Sequence, residues 1–300
     1  MKEIKNILIC GLGAIGGYYA GKIFANENYC LKVLVTQDRL NKYKNEPRVI
    51  NEIEYDFDYI LPDDVGFLPD LIIISTKSSG LNDVIINIKN FIKDDTIILS
   101  LLNGISSENQ IAEIYGKDKV LYSFLLGHTF FRRGKYIDHD GNAKIYFGYP
   151  NGENREKIRV LRHCFNTIGL EYVICEDILN SMWNKFCFNC CVNQISALTR
   201  MTFGEMLQSE KCINIIKKIC AEISAVARAE GIANSEYFYE NTLKSLKLML
   251  SDGKTSMLQD IEAGIKPEID IFGKTVVALG GKYGISTPYN KIISDIIDLI

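Results

Sequence analysis

The sequence predicts an α/β chain of two domains, a parallel-sheet domain over residues 1–172 followed by an all-helical domain over 173–300. Three observations predict it. A glycine-rich turn stands directly behind the first apolar strand. Continuous apolar runs then alternate with helically spaced segments through the first half. After Gly169 the strand-like runs cease and only helical spacing remains.

The first strand is Ile4–Cys10, and a helix from about Ala14 to Asn26 follows the turn. Leu31–Val35 is a second strand. Leu71–Ser75 (L-I-I-I-S) and Thr96–Leu101 (T-I-I-L-S-L) are unbroken β-rich runs, as expected of parallel strands covered on both faces, with helical spacing over Asn82–Ile92 between them. From Val120 to Phe147 the pattern is short and strand-like, with turns at Arg133-Gly134 and Asp140-Gly141. The second half reads as helices over Asp177–Leu198, Met206–Glu230, Ser235–Leu250, Ser256–Ala263, Pro267–Tyr283 and Pro288–Ile300, with stops at Gly231, Gly264 and Gly284.

The bulk numbers exclude several classes. Of 300 residues, 47% are apolar and 24% charged, ordinary for a soluble globular protein, and the net charge of −3 comes from well-mixed charges. Without a long basic block, neither nucleic acid nor an anionic membrane is an expected partner. The opening M-K-E-I-K-N-I-L-I-C superficially resembles a secretory signal, but the glycines that follow make a strand and a phosphate-binding turn the better explanation. No run reaches the roughly 18 apolar residues that a membrane span needs. The nine cysteines lie largely in apolar segments and behave as small hydrophobes; Cys187-x-x-Cys190 lacks a second ligand pair, so no metal is expected. A reducing cytoplasm fits this cysteine usage.

Gly11-Leu12-Gly13-Ala14-Ile15-Gly16 is G-x-G-x-x-G between a strand and a helix, the signature of a Rossmann-type dinucleotide-binding domain. The first glycine makes the tight turn, the second lets backbone approach a pyrophosphate, and the third permits close helix–strand packing. The helix N-terminus adds amides and a partial positive charge for the phosphates. NAD-binding versions place an acid at the end of the second strand, roughly 20 residues onward. Here Thr36 stands there and Arg39 follows, which favours NADP(H), while Asp38 leaves NAD open. Lys77 and Asn103 follow the strands Leu71–Ser75 and Thr96–Leu101, beyond whose carboxyl ends ligands bind in such folds; Asn103-Gly104 is also an ordinary turn pair.

In the helical half, W-N-K-F-C-F-N-C-C-V-N-Q-I at 183–195 is a largely apolar run interrupted by Lys185, Asn189 and Asn193, with Asn184 and Gln194 near its ends. At i, i+4 and i+8 these make one polar stripe on a helix buried on most sides. Burying unpaired amides and an ammonium is costly, so the stripe suggests a place where something polar binds.

Taken in order, G-L-G-A-I-G-G at 11–17, S-T-K at 75–77, L-N-G at 102–104, W-N-K-F-C-F-N-C-C-V-N at 183–193, S-M-L-Q-D-I at 256–261, E-I-D from Glu268 and G-I-S-T-P at 284–288 resemble the ketopantoate reductase (2-dehydropantoate 2-reductase) family along the whole chain. The resemblance implies NADPH-dependent reduction of a 2-oxo acid, most specifically 2-dehydropantoate to (R)-pantoate in pantothenate biosynthesis, with substrate held between the two domains. It implies that Lys185 is the catalytic general acid, polarising the keto oxygen. Asn103, Asn189, Asn193 and Ser256 would contact substrate. Glu268 would hold the substrate hydroxyl and help orient the lysine, close to the cofactor, and Lys77 would lie near the nicotinamide ribose. A homodimer is compatible with the helical half.

Local rules account for some of the same residues: Ser256-x-x-Gln259 is a capping-box pattern, and Glu268 follows Pro267 where a first helical turn favours an acid. Three positions depart from the family pattern. Gly253 stands where an asparagine is common, Ile271-Phe272-Gly273-Lys274 replaces Y-x-N-G, and Thr36 replaces an arginine. A β-hydroxyacid dehydrogenase would share the domain plan and a lysine–asparagine helix, but its D-x-P-V-S-G-G segment is missing. A non-catalytic NADP sensor is disfavoured by the retention of Lys185 with Glu268.

Overall fold

The structure is a computed structural model that describes residues 3–127, 130–150 and 155–300. It divides into two compact units, Met1–Ile178 and Leu179–Ile300.

In chain order the first unit contains β1 (Asn6–Cys10), α1 (Ala14–Phe24), β2 (Cys30–Leu34), α2 (Gln37–Asn45), β3 (Arg48–Ile50), β4 (Ile53–Tyr55), β5 (Tyr59–Ile60), β6 (Leu71–Ile74), α3 (Leu81–Asn87), β7 (Ile97–Ser100), α4 (Ser107–Tyr115), β8 (Val120–Leu126), β9 (Phe130–Arg133), β10 (Tyr136–His139), β11 (Lys144–Gly148), α5 (Arg155–Ile168) and β12 (Glu171–Ile174). The main sheet runs β12-β11-β8-β7-β6-β1-β2-β5, and a small one runs β4-β3-β10-β9. From β5 through β8 every pairing is parallel. Renumbered among themselves, those strands follow the 3-2-1-4-5-6 order of doubly wound dinucleotide folds, with the order reversing between β1 and β6.

The apolar runs are explained by coverage on both sides. Ile7 and Ile9, Leu71 and Ile73 belong to a core shared with Tyr19 and Ile23 of α1 and Leu161 and Phe165 of α5. Leu8 and Cys10, Ile72 and Ile74 belong to a second core with Leu81 and Val84 of α3 and Ile111 of α4. Alternation along each strand divides one apolar run between two faces. At the other end of the strands, Asp70 holds the start of the sheet together. Its carboxylate accepts the amides of Lys5 and Asn6 and pairs with Lys93. Burial pushes this carboxyl up, but the Asn6 amide, the Lys93 ammonium and the Lys5 amide outweigh it and hold the pKa below the ordinary value.

β12 pairs with β11 inside the first unit, so the expected break at 172/173 falls within a strand. Helices α2, α4 and α5 are absent from the expected series, although α5 buries Val160, Leu161, Cys164 and Phe165 at regular helical spacing. β3, β4, β5 and β12 are also absent from it; strands of two to four residues are too short to show a period.

The second unit is all helical: α6 (Ile178–Phe188), a π turn over Asn189–Asn193, α7 (Gln194–Thr199), α8 (Phe203–Gln208), α9 (Glu210–Ala229), α10 (Phe238–Lys247), α11 (Ser256–Glu262), α12 (Gly273–Tyr283) and α13 (Pro288–Ile297). The helix expected over Met206–Glu230 is two helices, because Ser209 leaves helical backbone and caps α9 by accepting the Cys212 amide at 3.2 Å. The central α9 buries Ile216, Ile219, Cys220, Ile223 and Val226 on one stripe. Among the described residues, no helix is long and apolar enough to cross a membrane.

Glu222 of α9 is a buried carboxylate that caps α13 from outside that helix. Its oxygens accept the amides of Tyr289 (2.8 Å) and Asn290 (3.0 Å) and the Asn290 side-chain amide (2.7 Å). The capped end is the first turn of α13, where amides lack intrahelical partners and the helix dipole favours an anion. Glu222→Ala leaves three donors unsatisfied and is expected to cost about 1–3 kcal/mol. Urea denaturation followed by far-UV circular dichroism checks this; an unchanged midpoint would show that water replaces the carboxylate at no cost.

Candidate functional site

The glycine turn carries out three tasks with three different glycines. Gly11 has φ +106, in the left-handed region, and an added Cβ would lie 3.0 Å from the Ser75 backbone. At Gly16 a Cβ would lie 1.9 Å from the Gly11 carbonyl oxygen and 2.3 Å from Ser75 Oγ, so α1 can approach β1 and β6 only without a side chain. Gly13 differs: a Cβ there would meet nothing closer than the Ser75 oxygen at 3.9 Å. That open space lies at the N-cap of α1, which has no side-chain cap and no acid in its first turn. Uncapped amides beside open space fit a pyrophosphate. Ser75 Oγ donates to the Gly11 carbonyl at 3.0 Å, fixing the turn to the end of β6.

The strand order assembles the other sequence-selected residues of this unit along one edge. At the carboxyl ends of adjacent strands lie Asn103 after β7, Lys77 after β6, the glycine turn after β1, and Thr36 with Arg39 after β2. Strands are about 4.8 Å apart, so this row spans roughly 15 Å across the switch point. Lys77 is exposed at the start of a 3-10 turn, and Asn103 sits in a bend with Gly104 at φ +94. Thr36 is exposed and precedes α2 without capping it, and Asp38 and Arg39 both lie in the first turn of that helix.

In the second unit, Lys185 is half-buried in the last turn of α6, and Asn189 and Asn193 are buried in the π turn that follows. The expected uninterrupted helix is therefore modified at the stripe itself. In an α-helix, four residues overshoot a turn of about 3.6, so an i, i+4, i+8 line drifts round the axis. A π turn holds more than four residues, so the step from Asn189 to Asn193 drifts the opposite way and brings Asn193 back toward the line of Lys185. Single π turns inside helices are rare and frequently lie at functional sites.

Asn193 Nδ2 donates to Ser256 Oγ at 3.4 Å, so two of the sequence-selected residues touch. Ser256 is not the cap of its helix. Thr255 caps α11, its hydroxyl accepting the Leu258 amide at 3.2 Å, while Ser256 is exposed as the first helical residue. Glu268 does not lie in a helical first turn either. It precedes a 3-10 turn over Ile269–Ile271, and α12 begins only at Gly273, so the helix dipole does not account for this acid.

The cysteines of this unit pack together. Cys187 does not pair with Cys190; instead Cys191 Sγ lies 3.2 Å and Cys187 Sγ 3.6 Å from Cys220 Sγ, all buried. Burial pushes the Cys187 and Cys191 thiols well up, as for thiols packed as neutral hydrophobes.

Two family models match this chain. One described as ketopantoate reductase PanE/ApbA covers residues 7–152, and one described as its C terminal covers residues 177–300. The chain belongs to the ketopantoate reductase family. The ordered motifs of the sequence are therefore those of an oxidoreductase family acting on CH–OH groups. Among its relatives are an uncharacterized oxidoreductase, YkpB, of Bacillus subtilis, 28% identical over 88% of each chain, and a 2-dehydropantoate 2-reductase of Aquifex aeolicus, 26% identical over 98% of this chain and 96% of that one. Solved structures of the same fold include a D-mandelate dehydrogenase with NADH and anilino(oxo)acetate (TM-score 0.86, 21% identity, 98% and 97% covered). Another is the 2-dehydropantoate 2-reductase of Methylococcus capsulatus (TM-score 0.83, 24% identity, 98% and 96% covered).

Two of the glycines marked in the sequence as departures from the resemblance are closely packed. A Cβ at Gly253 would lie 3.0 Å from both the Leu250 oxygen and the Phe203 ring. A Cβ at Gly273 would lie 2.2 Å from Ser294 Oγ and 2.4 Å from Gln194 Oε1. Neither position takes a side chain without movement of those neighbours.

Proposed function

We propose that this chain uses NADPH to reduce a small branched 2-oxo acid, with 2-dehydropantoate to (R)-pantoate, in pantothenate biosynthesis in the cytoplasm, as the leading reaction. The observation that carries the reading is the line of Lys185, Asn189 and Asn193, straightened by a π turn and extended by the Asn193–Ser256 contact. It stands in a chain that carries the glycine turn of a dinucleotide fold.

Gly11–Gly16, with Leu12, Ala14 and Ile15 in the same turn, would hold the dinucleotide, which when bound would supply hydride chemistry. Lys185 stabilises the negative charge that develops on the keto oxygen and gives that oxygen its proton. Asn189, Asn193 and Ser256 hold the polar ends of the substrate, with Asn103 serving both substrate and cofactor. Glu268 accepts the substrate hydroxyl and orients the lysine. Lys77 serves the nicotinamide ribose, on the side of the glycine turn opposite Thr36 and Arg39. A dimer fits the reading, since a Staphylococcus aureus ketopantoate reductase of this fold is described as dimeric.

A second reading, a 2-oxo acid with a different side chain, is favoured by the close packing at Gly253 and Gly273, which removes two polar groups of the family pattern. NADPH oxidation measured over ketopantoate, 2-oxoisovalerate and phenylglyoxylate separates the readings. The highest kcat/KM on ketopantoate is expected. A clear preference for another acid would reassign the substrate, and tight NADPH binding with no turnover on any would indicate a dinucleotide sensor.

A further inference from the structure

The small sheet of the first unit brings together arginines from three elements. Arg48 of β3 is buried, with its guanidinium 4.5 Å from the centre of the Tyr43 ring. Its Nη1 donates to the Gly134 carbonyl at 3.0 Å, and Arg132 Nε of β9 donates to the same oxygen at 3.2 Å. Nε and Nη2 of Arg48 are buried without any hydrogen-bond partner. Arg39 stands four residues before Tyr43 on α2, hence on the same face of that helix, and both Arg39 and Arg132 are exposed. Among the described residues, no carboxylate is paired with any of the three, and one carbonyl is the sole acceptor that Arg48 and Arg132 share.

Such an arrangement is electrostatically costly as it stands. Arginine keeps its charge under all ordinary conditions, so neighbouring guanidiniums cannot relieve their repulsion by losing a proton. Partial desolvation, and then the Arg48 and Arg39 charges, lower the pKa of Arg132. A bound anion removes the cost, and planar guanidinium forks match carboxylate and phosphate groups. Arg39 also places the cluster: it lies in the first turn after β2, where the adenosine ribose of a dinucleotide rests in doubly wound folds.

We infer that Arg39 and Arg132, with Arg48 as a buried charge behind them, bind the phosphate monoester on the adenosine ribose and so set this chain's preference for a phosphorylated dinucleotide. The inference rests on the dinucleotide reading above and assigns the task of the missing strand-end arginine (Thr36) partly to a different sheet. The hairpin at Gly134 supplies the second cation, from a residue nearly a hundred positions beyond Arg39.

The test is calorimetric titration of the full chain with 2′,5′-ADP and with ADP, for wild type, Arg132→Gln and Arg39→Gln. Wild type is expected to favour 2′,5′-ADP. Each substitution is expected to reduce that preference about tenfold or more, the usual weight of a hydrogen bond to a charged group, with ADP binding and the melting temperature unchanged. Equal binding of the two nucleotides by wild type would overturn the inference. So would a parallel loss of both nucleotides in Arg132→Gln, which would mark the arginine as structural. Neither readout depends on turnover. A phosphate preference without reduction of any 2-oxo acid would therefore defeat the proposed reaction and leave this assignment standing.

Discussion

Replacing Lys185 with alanine is expected to lower kcat by at least ~100-fold, the low end of what a positioned acid–base group supplies. Hydride addition to a ketone creates an alkoxide, and a preorganised cation at that oxygen stabilises charge that the ground state lacks, so kcat falls more than KM rises. NADPH affinity, measured by fluorescence, is expected to remain, because the glycine turn belongs to the first unit. Lys185→Arg restores the charge but is a poor proton donor, since guanidinium holds its proton too tightly. It is expected to recover only part of the rate. Turnover equal to wild type in the alanine variant would remove Lys185 from the chemistry.

The glycine turn offers a second large effect, in which two neighbouring substitutions should separate stability from binding. Gly16→Ala places a methyl carbon 1.9 Å from a backbone carbonyl oxygen, a contact that flexible side-chain motion cannot relieve. Overpacking of this kind costs about 1–3 kcal/mol, occasionally more. For a domain of this size that is a melting-temperature loss of roughly 3–10 °C. NADPH affinity should fall with it, as α1 is pushed away from β1. Gly13→Ala meets nothing closer than 3.9 Å and keeps ordinary backbone angles (φ −73), so its melting temperature should stay within about a degree. Its methyl occupies the space left for the pyrophosphate, and NADPH affinity should fall at least about tenfold, the cost of losing a charge-assisted contact. If Gly13→Ala bound NADPH as wild type does, the pyrophosphate would have to lie elsewhere.

The legible and illegible parts of the molecule divide along physical lines. The glycine turn, the buried parallel strands β6 and β7 and the polar stripe of Lys185 and Asn189 are local patterns, readable in windows of a dozen residues because turn chemistry and periodicity act over that range. Two local rules misassigned their residues. Thr255 takes the cap at α11 by one position and leaves Ser256 facing Asn193. Pro267 begins no α-helix, so Glu268 stands outside the dipole that would have explained it. The π turn also escaped the reading, since it changes the ladder without changing the apolar pattern.

By itself, then, the sequence determined that a glycine turn would join a buried strand to a helix, and that one cation and two amides would recur at four-residue spacing in a buried helical run. Only the tertiary structure decided which strand ends stand side by side, so that Asn103, Lys77, the turn and Arg39 form a single row. It alone placed Arg48 and Arg132 on one carbonyl. The reason is range: strand order and the meeting of residues 48 and 132 arise from pairings across scores of residues, and these depend on how whole faces bury one another rather than on any short stretch of chain.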